Sequence, residues 1–411
     1  MSTQALPKST SPQALRRPVR TTPPVAAGWL ALLATPIAAS ANGPVLILPV
    51  MADDLGVSVA SATWLVTVFA WAMAVGTPLM AALLRYRGLR VALRVSSVLV
   101  VAGTALLAVA PWLPLAMAGR AAQAVGGAGL ITAAMSLAGS VRRMGVITTG
   151  FGVLGAVGPL LGSLITEHAS WQAALAVGAV SLAAVPRVLR DAPRGRTAPG
   201  ASFDVRGAAL LVLVASAVVL VPRHPLPAVL ATLIAGVLLA LHVRRRPTGF
   251  VPVALLRSRA FVRAALLACA VSTSYFTLLF TVPQLLRERT GWSTATIGTG
   301  QLVALLAGSA FAMALSAAAA RLGRRRALAV VLTAAVLAPV TALLTPWAPL
   351  LLLVATLAVF ATSAGQANLA VHAADGTDDA ARPTAIGLFN LCYQLGGAFG
   401  PAIAALLTLG G

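Results

Sequence analysis

The chain has 411 residues, 59% of them hydrophobic and 9% charged, with a mean hydropathy of +0.92. Soluble domains carry roughly 25% charged residues, so this composition cannot cover a water-facing surface and indicates an integral membrane protein. The 30 basic residues outnumber the 9 acidic ones, for a net charge of +21, but the arginines punctuate apolar runs and read as membrane-orienting loops, so no nucleic-acid partner is expected.

Residues 1–25, rich in Pro, Ser, Thr and basic residues, read as a disordered cytoplasmic tail. Apolar runs of about 20 residues follow, the length of helical spans rather than of barrel strands. The first is too long for a signal-peptide core, although Ala38-Ala39-Ser40-Ala41 imitates a cleavage site. Six runs, near 26–51, 61–84, 90–112, 114–138, 145–165 and 171–189, form an N-terminal bundle over 26–189. A Pro- and Gly-bearing cytoplasmic linker over 190–205 leads to two inserted helices within 206–243, at 206–222 and 226–243. After a basic cytoplasmic linker over 244–259 come five spans, near 260–284, 294–320, 326–344, 347–371 and 384–408, making a C-terminal bundle over 260–408. The expected fold is an all-α polytopic membrane protein of two bundles with about 13 helices.

With the N-terminus inside, 26 of the 30 basic residues fall in the tail or in alternate, cytoplasmic loops. Only Arg223, Arg287 and Arg289 fall outside, and Arg120 lies within a span. The positive-inside rule therefore predicts a multi-pass protein with a cytoplasmic N-terminus. One lysine against 29 arginines reads as GC-rich bacterial coding, which places it in the cytoplasmic (inner) membrane with the lipid bilayer as its first partner. Cys269 and Cys392 sit inside apolar runs with no Cys-x-x-Cys or Cys/His cluster, so neither a disulfide framework, a metal nor a cofactor is suggested.

An internal repeat is visible. Arg85-Tyr-Arg-Gly88-Leu-Arg90 after span 2 returns 235 residues later as Arg321-Leu-Gly323-Arg324-Arg-Arg326, and Gly158-Pro159 of span 5 returns 242 residues later as Gly400-Pro401. Two homologous helical bundles in one chain are a transporter architecture. Spans 7 and 8 fall outside the repeat as an insertion, and span 6 has no partner in the second bundle.

Four segments carry a resemblance. Arg85-Tyr-Arg-Gly88-Leu-Arg90 falls where the major facilitator superfamily has its cytoplasmic Gly-x-x-x-Asp-Arg-x-Gly-Arg-Arg signature. Gly119-Arg120-Ala-Ala-Gln123-Ala-Val-Gly126 is similar to that family's Arg-x-x-Gln-Gly-x-Gly signature of helix 4. Gly152-x-x-Gly155-x-x-Gly158-Pro159-Leu-Leu-Gly162 resembles the antiporter signature of helix 5, and Asp54-Leu55-Gly56 the first external loop. Over about 26–408 the chain thus resembles the fourteen-helix drug:proton antiporters of this family. The resemblance implies efflux of drugs, antibiotics or metabolites by alternating access, antiport against protons, and no enzymatic activity. It also implies a last helix after residue 408 that is missing here, so Gly411 is expected on the external side. Departures are specific: the loop aspartate is Arg85, its second-half counterpart is Ala320, and the first-helix aspartate falls at Ser40.

Arg120 is the leading candidate for substrate binding or proton relay, because a guanidinium in mid-span is costly in lipid and faces a bundle interior or a cavity. Gln123, one helical turn away, shares its face. Gly155, Gly158, Pro159 and Gly162 form a helix-packing hinge, with Pro159 expected to kink span 5. No carboxylate falls near a span's middle, so the coupling candidates are Glu167 with His168, Asp54 beside Asp53, and His372. Asn42, Trp64, Tyr275, Gln301, Gln366, Asn390 and Gln394 are the cavity candidates, an apolar lining with scattered amides and aromatics that suits a hydrophobic organic substrate, cationic or neutral. The loop residues Arg85, Gly88, Arg90, Arg321, Gly323 and Arg324 are candidates for conformational control. A monomer is expected. The alternatives are a truncated, non-transporting or uncoupled remnant, which the missing helix and degraded loop would suit, and a polytopic membrane enzyme, which would need acids and histidines clustered at one face.

Overall fold

The computed structural model describes residues 25–138, 141–191, 203–345, 347–374 and 382–409. The expected tail, all but its last residue, lies outside these, as do most of the linker over 190–205, Asp375, Asp378 and Asp379, and the side chain of Arg324.

Among the described residues thirteen helical rods follow one another, besides single helical turns at Val59–Ala62 and Val253–Arg257. The first, α1, is broken into Ala27–Ala34, Pro36–Asn42, a 3-10 turn at Gly43–Leu46 and Leu48–Asp54. The run over 26–51 is therefore not one uninterrupted helix. Pro36, Pro44 and Pro49 each remove a backbone donor and start a new segment, so the chain bends at each. Next come α2 (Trp64–Arg87), α3 (Leu89–Ala108), α4 (Leu113–Ala138) and α5 (Val141–His168). Rod α6 is Trp171–Ala176, a 3-10 stretch at Val177–Ala184, and Val185–Asp191. The inserted pair is α7 (Val205–Leu220) and α8 (Pro225–Arg245). The second half is α9 (Arg259–Thr290), α10 (Thr294–Leu322), α11 (Arg324–Leu344), α12 (Ala348–Ala374) and α13 (Arg382–Leu409). Among the described residues eleven rods are long and apolar enough to cross a membrane. The other two are α7, with 16 residues, and α13, which carries Asn390, Tyr393 and Gln394 within its run.

The repeat appears as backbone geometry. Gly88 joins α2 to α3 at φ 82° and Gly323 joins α10 to α11 at φ 78°, both in the region that side chains disfavour. Each ends one helix and starts the next without a loop.

The halves meet along α2 against α13 and α5 against α10, while α7 of the inserted pair lies against α2 and α13. Three contacts hold that pair. Arg223, in the turn between α7 and α8, donates to Ala60 O and Thr63 Oγ1 and covers the Trp64 ring at 4.2 Å. Trp71 Nε1 donates to Ser216 Oγ at 3.1 Å. At the other end Phe203 packs edge-on between Tyr86 and Phe250, 5.8 Å from each.

The buried core is divided unevenly. At the arginine-poor end, one apolar cluster runs from Leu46, Met51, Leu65 and Leu107 in the first half to Leu278, Leu286, Ile297 and Leu351 in the second. At the arginine-rich end, Leu30, Leu93, Leu130, Ile147 and Val188 form a first-half cluster of their own. The second half there has separate clusters around Phe261 and Phe389 and around Leu315 and Val331, entered from the first half by Ala74 and Val75 of α2.

Candidate functional site

Close approach of glycines builds the site around Arg120. A Cβ at Gly119 would lie 2.8 Å from Gly103 O, so α4 and α3 touch backbone to backbone just where Arg120 begins. A Cβ at Gly126 would lie 2.6 Å from Ser96 O, one contact further along the same pair. These approaches leave the guanidinium no exit, and Arg120 is 0% exposed.

Its partners are all neutral. One terminal nitrogen donates to Ser40 Oγ at 3.1 Å and to Gln123 Oε1 at 3.0 Å, and the other donates to Ser40 O at 3.2 Å. The Phe69 ring lies 4.0 Å from the guanidinium carbon, a cation–π contact in a desolvated setting. Nε is buried with no hydrogen-bond partner. Gln123 is fixed in turn by donating to Thr104 Oγ1 at 3.0 Å and Leu175 O at 3.5 Å, and Ser40 Oγ donates to Leu175 O at 2.8 Å. The node therefore ties α1, α2, α3, α4 and α6 together. A cavity of about 10 Å³, room for about one water, adjoins it, lined by Ile37, Ser40, Phe69, Val100, Gln123, Gly178 and Ala179.

Two residues along α1 from Ser40, Asn42 donates to Gly155 O of α5 at 2.9 Å and faces the Tyr275 side chain of α9. That is the seam between the halves. A Cβ at Gly158 would lie 2.9 Å from Ala39 O, and one at Gly162 would enter the Gly43 backbone, so α5 packs on α1 through its glycines. Helix α5 runs as one element through Pro159. On the second-half side Gln366 Nε2 meets Asn390 Oδ1 at 3.5 Å, and Tyr393 OH meets Thr362 Oγ1 at 3.0 Å. Gln301 donates to Leu279 O at 3.2 Å within the second half. Gln394 on α13 is half-buried. Trp64 lies beneath Arg223 at the arginine-poor rim rather than in the seam.

The coupling candidates are scattered to the rims. Asp54 Oδ2 accepts from Trp171 Nε1 at 2.6 Å and Gln172 Nε2 at 3.4 Å, joining the end of α1 to the start of α6. Glu167 and His168 are exposed at the end of α5, with His168 Nδ1 on Leu164 O at 2.9 Å. His372 stands at the opposite end, with Nδ1 on Asn368 O at 2.8 Å. None of these is brought to Arg120. Among the described residues no group of three or more His, Cys, Asp or Glu is placed to hold a metal ion.

Sequence reasoning found Arg120 and Gln123 by spacing but missed Phe69, Thr104 and the Leu175 carbonyl. It also missed Asp204, which is 7% exposed and caps α7. Burial raises the Asp204 pKa, but the N–H groups of Phe250 and Gly207 and the neighbouring His242 outweigh that and hold it below the ordinary carboxylate value. The distances are 3.0 Å to each N–H and 2.9 Å to His242 Nε2.

Comparison with known proteins gives three results. A family model described as Major Facilitator Superfamily matches residues 28–401. A curated relative named chloramphenicol resistance protein, from Streptomyces lividans, is 32% identical over 164 residues, 38% of this chain and 42% of the relative's own length. Two solved structures share the fold at 15% identity, each covering 94% of this chain and 91% of its own. One is a POT family transporter in complex with 5-aminolevulinic acid (TM-score 0.66), the other a POT family transporter in complex with a thioalcohol-conjugated peptide (TM-score 0.62).

Proposed function

Because this chain belongs to the Major Facilitator Superfamily and is a membrane transporter rather than an enzyme, we propose that it exports small hydrophobic organic compounds from the cytoplasm by alternating access. The two halves rock about the seam at Asn42 and Tyr275, exposing it to one side at a time. The observation that carries this reading is the uneven core. One apolar cluster joins both halves along the arginine-poor end, while at the arginine-rich end the first half keeps a cluster of its own and the second-half cluster takes in only Ala74 and Val75 of α2 from the first half's buried residues. With that basic end cytoplasmic, the arrangement is an inward-facing state ready to load from inside the cell.

Antibiotic-like compounds are the substrate class, in keeping with the relative named for chloramphenicol resistance. Proton exchange is the proposed energy source. Among the rim groups, Asp54 is the best-placed coupling residue, because it joins α1 to α6 through the Trp171 indole at 2.6 Å. Protonating that carboxylate weakens a charge-assisted bond, and α1 is the broken helix that lines the seam.

The test is uptake of apolar fluorescent compounds and chloramphenicol into inverted membrane vesicles carrying the protein. Accumulation that appears with an imposed pH gradient and vanishes with a protonophore is expected. No gradient-dependent accumulation of any compound in a broad panel would overturn the export reading.

A further inference from the structure

We infer that the transport pathway discriminates by charge, taking uncharged or anionic lipophiles and rejecting organic cations of the same size. This deepens the proposed export reading and rests on it.

The inference starts from a count. The chain has 9 acidic residues. Asp53, Asp54, Glu167 and Glu288 stand at the arginine-poor ends of rods, and Asp191 and Asp204 stand at the arginine-rich end. The other three, Asp375, Asp378 and Asp379, lie in sequence between α12 and α13. No carboxylate occupies the middle of a rod. Among the described residues the one fully buried charged side chain is Arg120, inside α4, which the guanidinium's basicity keeps cationic.

Among the described residues Arg120 has no counter-ion. Ser40 Oγ and O, Gln123 Oε1 and the Phe69 ring supply only partial charges, and Nε has no partner. A full positive charge that is solvated by dipoles alone keeps its long-range field, and in a low-dielectric interior that field is weakly screened. Ser40 precedes Asn42 by two residues on the same helical segment, so the two point to different faces of it, Ser40 toward Arg120 and Asn42 toward the seam. The field is thus centred one helix width behind the seam, close enough to act on a charge placed there. The seam itself offers neutral groups, Tyr275, Gln366, Asn390 and Tyr393.

An organic cation entering this site leaves water without meeting a carboxylate and is repelled by Arg120 as well. Both effects have the same sign. A neutral compound escapes both, and an acidic or electronegative group gains from the second. The approach adds to this selection: Arg85, Arg87, Arg90, Arg321 and Arg325 are exposed at the end where the halves part, so the mouth repels cations and gathers anions before binding.

Three coumarin probes with one ring system, carrying a neutral amide, a carboxylate or a trimethylammonium group, test the idea. Binding to purified protein is read by fluorescence anisotropy, and transport is read in inverted vesicles. The cation is expected to bind and move at least tenfold more weakly than the neutral probe. Ser40→Asp, which sets an acid against the guanidinium, is expected to close that gap to within threefold. Arg120→Gln removes the charge without adding a buried acid, and is expected to narrow the gap in the same direction if Ser40→Asp does not fold. Cation binding within threefold of the neutral probe in the parent protein overturns the inference, as does no binding of any probe. A gap that neither variant narrows overturns the role of Arg120. If binding shows the ranking but no probe is transported, the charge selection stands and the export reading falls.

Discussion

Arg120 combines two features that rarely coincide in a purely structural residue: complete burial and a charge matched by no opposite charge. Taking a cation out of water costs several kcal/mol even after relaxation, and neutral acceptors repay only part of that. Replacing it with a neutral side chain of similar reach removes the cost together with the bonds. Arg120→Gln is therefore expected to change the stability of the folded protein by no more than about 2 kcal/mol. Transport of a carboxylate-bearing substrate, which gains from the charge, is expected to fall at least tenfold. Thermal unfolding in detergent and vesicle uptake measure the two effects separately. A variant that unfolds far more easily yet transports normally would show that the residue is only a brace. At this scale the sequence was half legible. The three-residue spacing of Arg120 and Gln123 predicted their contact. The Leu175 carbonyl was invisible, because a backbone acceptor carries no residue signature and this one is offered where α6 turns from α to 3-10 geometry. Thr104 was equally hidden, since its reach to Gln123 depends on the close approach of Gly103 and Gly119.

Elements were read well where hydropathy alone decides them and less well where it does not. The rods fall where apolar runs were read, α9 running six residues past its expected end, and eleven of them are of spanning length and hydropathy among the described residues. The breaks in α1 were not anticipated, although Pro36, Pro44 and Pro49 were in view: proline is tolerated inside α2, α5, α9, α11 and α13, so its presence does not say which helices will break. The inserted pair was placed in the chain but not on the molecule. Its docking rests on Arg223 and Trp71, while Asp204 ties its two helices to each other, each meeting a partner more than 35 residues away. Asp204 gives the join between the two inserted helices a pH signature. Because its folded pKa is depressed, its contribution is fully present above the unfolded value of about 3.9 and is lost as pH falls through the folded one. Asp204→Ala orphans the N–H groups of Phe250 and Gly207 and is expected to destabilise the protein by about 2–4 kcal/mol at pH 7. The difference between parent and variant should hold from pH 8 to about 5 and shrink only below about pH 4. Hydrogen exchange of the 203–253 region against pH is the measurement. Protection that is the same in the variant and the parent at pH 7 would show that the carboxylate does not hold the pair.

At the scale of the whole molecule, the repeat and the uneven core make one argument. Gly88 and Gly323, 235 residues apart, are alike in backbone geometry, as two halves built on one plan would require. Two equivalent bodies joined at a seam have two natural arrangements, one closed at each end, and the cluster containing Leu46, Leu65, Leu278 and Ile297 shows which end is closed here. The repeat was legible because loop signatures survive in sequence; which end is sealed was not, since both arrangements satisfy the same hydropathy pattern. Alternating access requires that the arginine-poor seal open in every cycle. The α5–α10 contact offers a clasp, because a Cβ at Gly298 would lie 3.8 Å from Leu160 Cα, in van der Waals contact with the backbone of the facing helix. In a background with Cys269→Ala and Cys392→Ala, the pair Leu160→Cys and Gly298→Cys is expected to cross-link on oxidation and reduce transport at least tenfold. Dithiothreitol should restore it, and either cysteine alone should leave transport insensitive to oxidant. Mass spectrometry of the linked peptides establishes that the bond has formed. Full transport by the cross-linked protein would mean that the arginine-poor end does not open, and the rocking mechanism would have to be abandoned for a path that leaves α5 and α10 in place.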